Sequence, residues 1–406
     1  MERGRTFLGG KSLVFVLVAL FIGLSVFCLM RSEAASQEKK TPIVVGGIGP
    51  ITGPNAEWGR KNRIALQMLE DEMKAAGGIK GHPVEIHMYD GAQDAKQVAS
   101  LVRKLARDEN ALGIAGPLFS SMCEVAFPLA NAEAIVSISQ ASAKPGLAAK
   151  NRPWAFRNTI DEERLAKQLV PIFIRTYKAK RMATIYDIED ATSSALGKTI
   201  LPALFKENGV TIVNENDHIT FRSHDADVSA QVTKIAALNV DGVILGADFG
   251  PASVVIREMN KQGLFKPVIG GTPLISETVL SAAGKVPVMA TATFFTGVQD
   301  KAIQEFITKF RERAKEAKLD TFDPTMYDVN IYDNAKMILQ AVAQTNVGLT
   351  PKTVKEDRVK VRDYLTNLKD GQFKGVSGFR SFNKDGDANK DPYMLVVEEG
   401  KWKIAK

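Results

Sequence analysis

Only two cysteines occur in the 406 residues, and Cys28 lies in an N-terminal apolar stretch. Cys123 is therefore alone in the rest of the chain, and no intramolecular disulfide can form there even in an oxidising compartment. Stability has to come from an apolar core. Histidine is as scarce: His82, His87, His218 and His224 are scattered, with no H-E-x-x-H spacing, which removes the usual zinc and general-base arrangements. No G-x-S-x-G occurs, and Ser193, Ser194 and Cys123 lack a neighbouring base, so nothing supports catalysis. Asp385-Gly-Asp387-Ala-Asn389 resembles the start of a calcium loop, yet its sixth position is Lys390 and its twelfth Val396. A Gly and a bidentate Glu are needed there, and the segment reads as a turn. No metal or other cofactor is implied. Of the formal charge of +7, the first 34 residues carry +2 (Arg3, Arg5, Lys11 and Arg31 against Glu2 and Glu33), leaving +5 on a long chain. That is a solvated surface, not a nucleic-acid footprint.

The chain opens with basic residues, an apolar stretch over 13–30 and then Arg31-Ser-Glu-Ala34. With Ser32 and Ala34 at positions −3 and −1 of a cut after Ala34, residues 1–34 read as a secretory signal peptide. The apolar stretch of 18 residues exceeds the usual span of ~7–15 and reaches the lower limit of a membrane helix, so an uncleaved anchor is the alternative. Phe27 before Cys28 does not suit lipoprotein processing. No second such stretch follows, so the body of the protein is expected to be soluble and to work outside the cytoplasm.

The remaining ~370 residues suffice for two domains at ~100–200 residues each. Short β-branched runs at 43–48, 84–89, 112–115, 135–138, 182–186, 210–213, 242–245 and 267–269 read as strands. Between them lie amphipathic segments at 56–76, 95–107, 121–132, 162–177, 193–208, 227–238 and 251–262. Gly77-Gly78, Gly209 and Gly263 mark helix ends. This alternation predicts an α/β fold with parallel sheets covered by helices. One sheet of a dozen strands would be unusual, so two doubly wound lobes are expected, dividing near Phe156-Arg157-Asn158-Thr159. Further helices are expected at 301–318, 326–344 and 351–368, and a terminal hairpin at 373–404. The expected lobes are 41–157 with 294–370, and 158–293 with 371–406, joined by a hinge that the chain crosses several times.

Three loops at the carboxyl edge of these strands invite a ligand. Gly47-Ile-Gly49-Pro-Ile-Thr52 only superficially matches G-x-G-x-x-G, because Thr52 replaces the third glycine and Pro50 lacks the N–H that a phosphate cradle uses. It reads instead as a tight turn into a helix carrying Trp58-Gly59. Gly116-Pro-Leu-Phe-Ser120-Ser121 offers hydroxyls and free N–H groups at a helix start, a seat for a carboxylate, while Ser120 as a simple cap is the alternative. Ser139-Gln-Ala141-Ser142-Ala143 presents small residues whose backbone a ligand can approach.

Taken together, these residues resemble the solute-binding proteins of branched-chain amino acid ABC transporters. Thr52-Gly-Pro with Trp58-Gly59, then Ala76-Gly-Gly-Ile-Lys-Gly-His-Pro-Val84, Tyr89-Asp90 with Asp94, Gly116 to Ser121, Phe156-Arg157, Gly263-Leu264 and Tyr332-Asp333 carry the likeness, over about residues 41–400. The resemblance implies a type I periplasmic binding protein fold, a periplasmic location and a monomer that closes on a small solute. It also implies delivery to a membrane permease with cytoplasmic ATPases; a sensor signalling to a membrane-bound partner is the alternative. By the same resemblance, Ser120 holds a carboxylate, Ala141, Ser142 and Ala143 form the next loop, and Trp58 is a wall. The family's second-lobe Tyr falls at Ala191 and its acidic partner for an ammonium at Thr272, with Asp248 able to replace it and Tyr327 near Trp58. An amino acid and an aromatic or other small carboxylate both remain open.

Overall fold

The computed structural model describes residues 1, 40–53 and 55–405; the signal-peptide reading lies outside them. The strands run β1 (Ile43–Gly49), β2 (Val84–Asp90), β3 (Gly113–Ala115), β4 (Val136–Ser139), β5 (Ala155–Arg157), β6 (Arg181–Asp187), β7 (Thr211–Ile212), β8 (Ile219–Phe221), β9 (Gly242–Gly246), β10 (Val268–Ile269), β11 (Val288–Ala292), β12 (Ser381–Phe382), β13 (Ala388–Asn389), β14 (Tyr393–Glu398) and β15 (Lys401–Ile404).

The first sheet has the order β2-β1-β3-β4-β5, and all of its pairs are parallel. β1 is buried along its whole length, as a strand covered on both faces must be. The second sheet has the order β15-β14-β11-β10-β9-β6-β7, with β8 also pairing with β6. Its strands are parallel except for β14 and β15, which join antiparallel at the edge. The expected α/β fold of two doubly wound lobes is met. In each sheet the first strand of the lobe lies in the middle: β1 between β2 and β3, and β6 between β7 and β9. The chain's direction of winding reverses there, and ligands of open α/β sheets bind beside that reversal, beyond the carboxyl ends of the strands.

Helix Ala56–Ala75 buries Ile64, Ala65, Leu66, Met68 and Leu69. It stops where Gly77 and Gly78 take φ of 79° and 80°, and the Gly78 N–H closes back on the Met73 carbonyl at 2.9 Å. Two segments expected as uninterrupted helices contain π turns, at Lys104–Asp108 and Leu196–Ile200. The helix expected from residue 193 already begins at Ala191 because Asp190 caps it, accepting the Ser193 N–H at 2.7 Å.

The chain passes between the sheets after β5, after β11 and before β14. Arg157, fully buried at the first passage, grips Asp387 near the third, with Nε and Nη2 at 2.6 and 2.7 Å from the carboxylate. Its Nη1 donates to the carbonyls of Ser142 (3.0 Å) and Lys144. The tail divides accordingly. The β12–β13 hairpin packs on the first sheet, with Phe382 at 4.8 Å from Phe156, and pairing with the second sheet begins at β14.

Candidate functional site

The switch-point loops of the two sheets face each other. From the first come Trp58, Leu118, Phe119, Ser120, Ala141 and Ala143; from the second, Asp190, Thr192, Asp248, Thr272 and Pro273. Tyr327, from helix Met326–Gln344, completes a cavity of ≈ 30 Å³. The two sides already touch: Ser120 Oγ is 3.3 Å from Thr192 Oγ1. Entry of any organic solute therefore requires the lobes to part.

Backbone geometry explains how the first side is built. Gly116, at φ 128°, turns the chain between β3 and helix Ser120–Ala132, and a Cβ there would lie 2.4 Å from the Ile48 carbonyl oxygen. The helix has Phe119 as its N-cap residue without a side-chain cap, and among the described residues the N–H groups of Ser120 and Ser121 find no acceptor. They and the helix dipole favour an anion. Ser120 Oγ is steadied by Ser142 Oγ at 3.0 Å. The N–H groups of Ala141 and Ser142 are already committed to Ser139 Oγ, at 3.3 and 3.0 Å; Ser142 acts by holding Ser120, not by offering its N–H.

An aromatic wall spans the two sides. The Trp58 ring lies 4.5 Å from Phe249, 4.9 Å from Tyr327 and 5.6 Å from Phe119. Trp58 is held close because its neighbour Gly59 packs on the Pro50 carbonyl oxygen, where a Cβ would approach to 2.2 Å.

The second side is acidic, and no Lys or Arg lines the cavity among the described residues. Burial, and then the Asp190 and Asp187 carboxylates, push Asp248 well above the ordinary carboxylate range. Glu162, at the start of helix Glu162–Tyr177, is buried and accepts hydrogen bonds from the Thr272 hydroxyl and, at 3.2 Å, from its N–H. Burial raises the Glu162 pKa to about 7. A carboxylate thus reaches Thr272 from a different segment of the chain. Of the positions expected from the sequence, Trp58, Ser120, Ala141, Ala143, Asp248, Thr272 and Tyr327 come together in one lining. Ala191 does not join them; its neighbours Asp190 and Thr192 do. Asp190, Thr192, Phe119 and Glu162 were not anticipated.

Glu162 carries a pH signature. Its pKa is raised from 4.5 to about 7, so between those values the folded protein holds a proton that the unfolded chain has released. The associated stability is full below about 4.5 and is lost as pH rises through 7. Glu162→Gln is expected to flatten the fall in unfolding free energy between about pH 5 and 7.5, by roughly 3 kcal/mol. Urea melts across that range check this, and an unaltered slope would show that Glu162 stays ionised.

Two doubly wound sheets, three chain passages and a cleft lined by both switch points define a two-lobed solute-binding protein. The chain belongs to the periplasmic binding protein family, whose model matches residues 42–401; its members are extracytoplasmic binding proteins, not enzymes. The Leu/Ile/Val-binding protein BraC3 of Rhizobium johnstonii is 27% identical over 385 residues, 93% of this chain and 96% of that one. The isoleucine complex of the branched-chain amino acid transporter substrate-binding protein LivJ from Streptococcus pneumoniae superposes with a TM-score of 0.75 at 22% identity, covering 90% of this chain and 99% of that one. An ABC transporter solute-binding protein of R. palustris in complex with 4-hydroxybenzoate gives 0.74 at 16% identity, covering 90% and 95%. Such identities speak for the fold alone. Among the described residues no helix is long and apolar enough to cross a membrane.

Proposed function

We propose that this protein is the solute-binding component of an ABC importer and captures an α-amino acid with an apolar side chain. The observation that carries this reading is the polarity of the cleft among the described residues: a helix N-terminus with unspent N–H groups at Ser120 and Ser121 on one side, and Asp190 and Asp248 with no Lys or Arg beside them in the lining on the other. An ammonium would answer the acidic side of the cleft, where burial and then the Asp190 and Asp187 carboxylates raise the Asp248 pKa, whereas a simple aromatic acid leaves it unanswered. The ring wall of Trp58, Phe119 and Tyr327 suits an apolar side chain. The names of BraC3 and the isoleucine complex of LivJ support the same class.

In this reading the leader over 1–34 exports the chain to the periplasm and is removed. The lobes close as a monomer on the solute, the first comprising 41–157, 294–370 and the β12–β13 hairpin, the second 158–293 and the chain from β14 onward. Contacts such as Ser120 with Thr192 then favour the closed form, which a permease with cytoplasmic ATPases receives. Calorimetry with leucine, phenylalanine and 4-hydroxybenzoate tests the class. Asp248→Asn is expected to weaken the aminated ligands by about 1.5–3 kcal/mol, the worth of one hydrogen bond to a charged group, and to leave 4-hydroxybenzoate unchanged. Equal effects on all three would remove Asp248 as the ammonium partner, and binding of 4-hydroxybenzoate alone would overturn the amino-acid reading.

A further inference from the structure

A second cavity, of ≈ 480 Å³, adjoins the cleft, and among the described residues Trp58 alone lines both. Its volume lies within the ~300–1,000 Å³ of small-molecule sites. It too is built from both lobes. Trp58 and Met326 come from helices packed on the first sheet, and Phe249, Ile275, Leu280 and Trp402 from elements of the second.

The polar groups on its wall select the kind of occupant. Buried Lys61 is engaged by the Asp323 carbonyl at 2.9 Å and by the Glu57 carboxylate at 3.4 Å. Arg311 is paired with the Asp323 carboxylate at 2.5 Å. Glu277 accepts the Asp323 N–H at 3.2 Å. Lys61, Glu57, Arg311 and Asp323 answer one another, while among the described residues Glu277 holds only the Asp323 N–H and the exposed Lys401 has no ion pair; a charged ligand that enters past Lys401 loses its water to a wall whose other cations are already engaged. An uncharged ring, in contrast, meets a wall that includes the side chains of Trp58, Phe249 and Trp402, aromatic groups that favour tilted or offset ring neighbours.

We infer that this cavity is a second ligand site, for an uncharged aromatic molecule, separated from the cleft by the Trp58 side chain. Because its walls belong to both lobes, its occupant binds the closed form better than the open one. It therefore strengthens binding in the cleft, and the cleft solute strengthens its binding in equal measure. The site stands whether or not the cleft takes an amino acid.

Calorimetric titration of the protein with indole tests it. Saturable binding of one equivalent is expected, weakened at least tenfold by Leu280→Trp and by Thr296→Trp, two fillings from separate segments of the wall, while binding of the cleft solute is retained. Absence of saturable indole binding would overturn the inference. So would indole binding that both fillings leave intact and Ser120→Ala removes, because indole would then occupy the cleft; that outcome leaves the amino-acid reading untouched.

Discussion

Arg157→Ala is expected to destabilise the protein by about 3–5 kcal/mol, the loss typical of breaking a buried ion pair by removing one partner. The guanidinium is fully buried and makes a two-pronged contact with Asp387 at 2.6 and 2.7 Å. It also satisfies the carbonyls of Ser142 and Lys144. Alanine leaves a nearly buried carboxylate and two carbonyls without donors, and it unties the loop that steadies Ser120. Urea melts monitored by circular dichroism read the change directly. A loss below about 1 kcal/mol, the worth of an exposed pair, would mean that water replaces the guanidinium. Replacing both partners with apolar residues of similar volume is expected to recover much of the loss, since the cost lies in the abandoned charge and not in the pair itself.

Trp58→Ala should have the next largest effect, about 3–5 kcal/mol for removing a buried aromatic side chain. Its distribution is more informative than its size. Trp58 meets Phe119 and Tyr327 on its own side and Phe249 across the cleft, at 4.5 Å, so part of the loss falls on the closed arrangement alone. Solute affinity is accordingly expected to fall by about a hundredfold, equivalent to roughly 2.7 kcal/mol, with the remainder appearing as lowered stability of the unliganded protein. Calorimetry and urea melts separate the two. Unchanged affinity alongside lowered stability would reduce Trp58 to an ordinary core residue, and Trp58→Phe is expected to restore much of the affinity.

The alternation of strand and helix was legible because β1, β6 and β9 are long apolar β-branched runs between amphipathic helices. β5, β8 and β11 were missed: the first two have three residues each, too few for a period to show, and β11, Val-Met-Ala-Thr-Ala, is buried throughout and shows no alternation. Helix Glu277–Ala283, at seven residues, escaped for a related reason. Within the site, Ser120 and Trp58 could be read because each stands in the first turn of a helix that a short glycine-containing loop joins to the preceding strand. Phe249 and Asp248 show the limit: adjacent in sequence, one was noticed for its charge, while the other gains its role only from a ring on the opposite lobe. Glu162 was hidden more deeply. Its partner Thr272 is 110 positions away, and only the folded chain shows that a carboxylate stands where the sequence seemed to lack one. The family resemblance points to Ala191, while Asp190 and Thr192 on either side of it line the cleft; an offset of one residue at a helix start is enough to turn a side chain away from it.

The repeated passage of the chain between its sheets also sets a timetable for synthesis. The first core needs helix Met326–Gln344, whose Asp328 accepts a hydrogen bond from Asn62 across 266 positions of sequence. The second needs β14, where Leu395 stands opposite Ala290. Neither core can close until nearly the whole polypeptide has left the ribosome, and contacts so distant along the chain form slowly. The winding of the fold thus acts as a built-in delay on its own completion.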